Sequence, residues 1–120
     1  MITQALQLTI RFGASTPPVL QKIAPDGARS AFSLPKKMAY VLTDITIFGP
    51  TSGLVAVAIG QGSGTTGSVW WEYRAPSLPV NYERSFTTGL VLTKKFEVIG
   101  VTLPGEEITV LISGYLRRGK

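Results

Sequence analysis

Cysteine and histidine are both absent from the 120 residues. Without cysteine there is no disulfide framework and no thiolate metal site. Without histidine the commonest general base, the commonest transition-metal ligand and the side chain that titrates near neutrality are missing together. Charge is scarce as well: 16% of the residues are charged against 44% apolar. That balance excludes a disordered chain, and in a β-rich chain it points to apolar surface covered by a partner. Long apolar runs are lacking too. The longest, Leu54 to Ile59, falls far short of the ~20 residues a spanning helix needs, so membrane insertion is not expected. The start, Met1 to Gln7, has no basic region and no extended apolar stretch, and no signal peptide is expected from it.

The chain has one domain's length, enough for a single core. Its net charge of +5 is concentrated: Arg117, Arg118 and Lys120 supply three of the five, leaving a body of about +2. The other basic residues are scattered, with doublets at Lys36-Lys37 and Lys94-Lys95 in turn-like surroundings. A nucleic-acid binder gathers its basic residues on one face or along a helix, so nucleic acid is not the expected partner.

What is present is alternation. Ala5 to Phe12 sets Leu6, Leu8, Ile10 and Phe12 against Gln7, Thr9 and Arg11, and Glu107 to Leu116 sets Ile108, Val110 and Ile112 against Thr109, Leu111 and Ser113. Period-two order of this kind gives one side-chain set to each face of a strand. Met38 to Phe48 reads likewise, with Val41, Thr43, Ile45 and Ile47 on one face. Leu54 to Ile59 is apolar on both faces, as in a central strand covered on both sides. Ser68 to Arg74 follows, then Arg84 to Thr93 and Phe96 to Leu103, which flank Lys94-Lys95 as a hairpin. Val19 to Ile23 and Ala31 to Leu34 read as short strands around the turn Pro25-Asp26-Gly27. Glycine (13) and proline (8) fall between these runs and mark the turns. The expectation is an all-β, antiparallel β-sandwich of the jelly-roll kind with seven to eight strands. Residues 1–31 would be an N-terminal strand or an arm toward a neighbour, 32–116 the sandwich, and 117–120 a basic tail.

Candidate sites are few. Gly60-Gln-Gly-Ser-Gly has spaced glycines after a strand, but no helix and no Lys-Ser/Thr follow, so it reads as a loop and not a phosphate site. Strand parity places Val69, Trp71 and Tyr73 on one face and Trp70, Glu72 and Arg74 on the other. The simplest division buries the first set and leaves Trp70 on a polar face beside two opposite charges, the composition of an interface anchor or a sugar-stacking platform; the alternative has Trp70 covered by a neighbouring loop. Trp70, Glu72, Arg74 and Tyr82, with Tyr73, are therefore the candidate interface or glycan contacts. Arg117, Arg118 and Lys120 are candidate tail contacts. Asp44 lies mid-strand, where a hydrogen bond to turn backbone would satisfy it. Glu106 and Glu107 sit in a turn and point apart, which does not suit a paired-carboxylate hydrolase. No calcium-loop spacing surrounds Asp26, Asp44 or the glutamates. No serine or threonine stands in a recognisable motif with a base. No cofactor, no metal and no catalysis are expected.

The segment Phe32 to Ile47, with a short strand, a Pro-Lys turn and an apolar strand carrying Thr43-Asp44, resembles the first core hairpin of small jelly-roll proteins. Phe86 to Leu92 and Ile112 to Leu116 resemble its counterparts. Over about Phe32 to Leu116 the chain is similar to small sandwich domains of bacteriophage and other virion proteins and of bacterial surface proteins. The resemblance implies a fold and a life in assemblies, and carries over no functional residue.

The expected function is that of a non-enzymatic structural subunit, a capsid, decoration or fibre-associated protein of a virion or of an extracellular surface assembly. Its partners would be further copies of itself, closing as a trimer by resemblance, and other assembly proteins. The alternative is a carbohydrate-binding or receptor-binding module using Trp70 and its neighbours.

Overall fold

A computed structural model describes residues 4–13, 18–49, 53–61, 68–76, 81–93, 96–103 and 105–118. Among them are nine strands and no helix: β1 Gln4–Phe12, β2 Gln21–Ile23, β3 Arg29–Ala31, β4 Met38–Phe48, β5 Val55–Gln61, β6 Ser68–Ala75, β7 Tyr82–Leu92, β8 Phe96–Val101 and β9 Ile108–Arg118. They form two antiparallel sheets, one ordered β3-β2-β1-β9-β4-β7 and the other β6-β5-β8. The sheets pack face to face as a sandwich. Alternate residues supply its interior: Leu8, Ile10 and Phe12 from β1, Ile45 and Ile47 from β4, Val55, Val57 and Ile59 from β5, and Ile108, Val110 and Ile112 from β9.

The pairing is nested. β5 pairs with β6, β4 with β7, and β1 with β9, so each pair lies outside the previous one along the chain. β8 is the exception. It pairs with β5 on one side, and the stretch that would complete the nest, between β1 and β4, folds instead into the β2–β3 hairpin at the far edge of the larger sheet. The turn of that hairpin is the one expected at Pro25-Asp26-Gly27. Gly27 takes a positive φ of 91°, the Gly27 amide donates to the Ala24 carbonyl, and Asp26 Oδ1 accepts from the Ala28 amide.

Several sequence expectations change in three dimensions. The lead-in at 1–31 does not reach outward as an arm within its described residues: β1 is an interior strand whose Leu8 is fully buried. Phe32 and Leu34 lie outside any strand, and β3 pairs with β2, so no hairpin joins that segment to β4. β7 and β8 belong to different sheets and are not a hairpin; Lys94 and Lys95 themselves lie outside the described residues. A short turn between apolar runs serves equally for a hairpin or for a chain switching sheets. Arg117 and Arg118 are strand residues opposite Ala39 and Met38, not a tail, and Lys120 lies outside the described residues.

Irregular steps break the period-two order. The β4–β9 ladder slips between Leu42 and Asp44, leaving Thr43 as the extra residue, and in the β4–β7 ladder Phe86 to Gly89 of β7 are left unpaired opposite it, between Ser85 and Leu90. The inward set is therefore Tyr40, Leu42, Ile45 and Ile47, and Val41 and Thr43 both leave the face they are expected to share with Ile45 and Ile47. Asp44 turns to the exposed side, where Oδ1 accepts from the Ser85 hydroxyl at 2.6 Å and Oδ2 lies 3.1 Å from the Thr43 hydroxyl. Side-chain hydroxyls satisfy it, not turn backbone.

Tyr40 is fully buried and its hydroxyl donates to the Leu6 carbonyl at 2.5 Å, tying β4 to β1 across β9. Gly114 on β9 makes room: a Cβ there would overlap the Val41 carbonyl oxygen and press on the Tyr40 ring. Gly114→Ala should therefore cost about 1–3 kcal/mol of stability in urea unfolding. Burial pushes the Tyr40 phenol well above its ordinary 10.0. Above about pH 10 the unfolded chain loses that proton while the folded one retains it, so stability falls with rising pH, by at most ~1.4 kcal/mol per unit from this group. Tyr40→Phe should cost about 0.5–1.5 kcal/mol at neutral pH and flatten the alkaline decline, as unfolding from pH 7 to about 11.5 would record.

Candidate interaction surfaces

Where β5 meets β6, Ile59 pairs with Trp71 but Gly60 pairs with Val69, so Trp70 is an inserted residue. Parity is reset at that point. Trp71 and Tyr73 face inward, as expected, but Val69 is 61% exposed and Trp70 is half-buried against the core. The predicted platform does not assemble. Glu72 and Arg74 remain on the outer face, joined to each other at 3.1 Å, without the indole between them. Tyr82 lies elsewhere, stacked on Tyr73 with ring centroids 3.9 Å apart.

That stack belongs to an aromatic seam closing one side of the sandwich, between the edge strands β6 and β7. Trp71 meets Phe86 edge-on at 6.1 Å and Tyr82 at 6.4 Å, and the Arg84 guanidinium sits 5.0 Å from the Phe86 ring centre. Sequence reading found Tyr73 and Tyr82 but missed Phe86 and Arg84, because only the sheet order brings β7 against β6. The Trp71 indole N–H is buried without an acceptor. The seam is a packing element: Trp71→Ala should cost about 3–5 kcal/mol, whereas the exposed Glu72→Gln should change stability by no more than about 0.5 kcal/mol. Denaturant midpoints of the two variants check this.

The outer face of the smaller sheet is different in kind. Its middle column is Ala56, Ala58 and Gly60 on β5. Opposite them stand Val101, Ile99 and Glu97 on β8, and on the other side Arg74, Glu72 and Val69 on β6. Ile99 and Val101 are exposed, as are Leu54 and Leu103 beside the sheet. The expectation that β5 is covered on both sides thus holds for one side only among the described residues. Small residues make the uncovered side flat, and its charges stand at the margins.

At the opposite side of the sandwich from the seam, a cavity of about 400 Å³ opens between β8 and the segment after β3. Ile10, Leu20, Phe32, Leu34, Phe96 and Val98 form its apolar lining. Among the described residues no three Asp, Glu, His or Cys side chains gather as metal ligands would. Gly60 and Gln61 are the end of β5, and the rest of the glycine loop, 62–67, lies outside the described residues. Glu107 stands 3.8 Å from Arg11.

No protein-family model, curated protein or solved structure matches the chain.

Proposed function

We infer that the protein is a non-enzymatic structural subunit of a virion or surface assembly, acting through contacts between copies of its β-sandwich. The observation that carries this reading is the outer face of the smaller sheet. A sheet facing water on one side normally alternates apolar-in with polar-out. Here Ala56, Ala58, Ile99 and Val101 occupy the outward positions, a flat apolar patch of the kind that marks a protein contact. The nested pairing of β1 with β9, β4 with β7 and β5 with β6 supports the jelly-roll reading, with the place beside β8 left open. Further copies of the chain are the proposed partners, closing as a trimer, alongside other assembly proteins. The glycan alternative loses support from the half-buried Trp70, which does not share a surface with Glu72, Arg74 and Tyr82.

Ala58→Arg tests the reading. The charge falls at the centre of the patch, where Glu72 can receive it, so folding should be preserved. Sedimentation should find the unmodified protein associating as its concentration rises and the variant remaining monomeric with an unchanged circular dichroism spectrum. A wild-type protein that stays monomeric at high concentration overturns the proposal.

A further inference from the structure

The open place beside β8 has a definite shape. Phe12 of β1 lies against Gly100 of β8, and Tyr82 of β7 against Tyr73 of β6. The smaller sheet thus covers β1, β9, β4 and β7, and the β2–β3 hairpin projects past β8 as a ledge. Above that ledge, β8 has a neighbour on one side only among the described residues. Its Phe96-Glu-Val-Ile-Gly-Val101 sequence contains no proline and no lysine, two of the devices that guard strand edges. The apolar cavity lined by Leu20, Phe32, Leu34, Phe96 and Val98 lies directly between edge and ledge.

The ledge decides what can enter. A second sandwich pairing edge to edge with β8 would have to place its own larger sheet where β2 and β3 already are. A lone extended strand meets no such obstacle. Basic groups outnumber acidic ones around the slot: Lys22, Arg29, Lys36 and Lys37 are exposed on the ledge or on the turn after Leu34, against Asp26 at the hairpin tip and Glu97 in the cavity lining. The ion pairs among the described residues, Arg11 with Glu107 and Arg74 with Glu72, involve none of them.

We propose that the β8 edge binds an extended peptide segment of another polypeptide, apolar at alternate positions and acidic at its ends. The segment adds a fourth strand to the smaller sheet. Its backbone bonds to β8, and one row of side chains enters the cavity over Phe32 and Leu34. The basic rim receives the acidic ends. The slot uses the backbone edge of β8 and its inward Phe96 and Val98, whereas the outer face uses Ile99 and Val101 of the same strand, so peptide binding does not require self-association.

The probe is the synthetic peptide Asp-Glu-Val-Thr-Val-Thr-Val-Glu-Asp, with a control of the same composition whose valines are contiguous. Amide hydrogen exchange at residues 96–101 should slow about tenfold with millimolar probe while exchange in β6 is unchanged. Fluorescence anisotropy should find the control bound about tenfold more weakly, since its side chains cannot alternate. Binding should weaken with salt, and Lys36→Glu should both weaken it and flatten that salt dependence in a protein of unchanged circular dichroism. Unchanged exchange at 96–101 overturns the proposal, and so does equal slowing in β6. In the Ala58→Arg variant, whose outer face no longer associates, slowing that follows protein concentration without any probe would give the edge to a second copy and overturns the proposal as well.

Discussion

Everything in this fold depends on β9 reaching the middle of the larger sheet. It pairs along its length with β1 on one side and β4 on the other, over registers running from Phe12–Ile108 to Gln4–Leu116 and from Phe48–Thr109 to Met38–Arg118. Ile108, Val110 and Ile112 are fully buried there. The last strand thus joins the first strand to the fourth, and neither sheet could be assembled from sequence neighbours alone. Loop closure of this range is costly in entropy and is recovered only when the apolar face is covered. Tyr40 reinforces the joint by crossing from β4 to the backbone of β1, and Gly114 keeps β9 slim enough to allow it.

From that constraint the two open surfaces follow. With β1, β9, β4 and β7 occupying one layer, three strands complete the other, and the β2–β3 hairpin has no facing strand. Among the described residues the smaller sheet consequently keeps an unpaired edge at β8 and a flat outer face built on Ala56 and Ala58. The opposite side is closed differently, by aromatic rings from β6 and β7. The molecule is thus sealed by Trp71, Tyr73, Tyr82 and Phe86 on one flank and left apolar and unpaired on the other.

Much of this was legible in the sequence because alternation reports burial directly. β1 and β9 were read from their alternate leucines and isoleucines, and the β2–β3 turn from Pro25-Asp26-Gly27. What alternation does not encode is where it is interrupted. Thr43 and Trp70 are each an inserted residue, and neither carries a local signature such as glycine that would mark a bulge. Each moves its neighbours to the opposite face, so that unbroken alternation puts Val41, Thr43 and Val69 inward and Trp70 outward, contrary to their places in the fold. The candidate surface failed for the same reason: Trp70, Glu72 and Arg74 share a face only if no residue is inserted. Sheet membership was illegible too, since the turn after Thr93 suits a hairpin and a change of sheet alike.

The nested order can be tested without altering the protein. Nuclear Overhauser contacts across the strands of the labelled chain should join Ile112 to both Leu8 and Ile45, Ile99 to Ala58, and no residue of β7 to one of β8. A ladder between Leu90–Leu92 and Phe96–Val98, with β9 paired to β8 in place of β1, would contradict the account at its root.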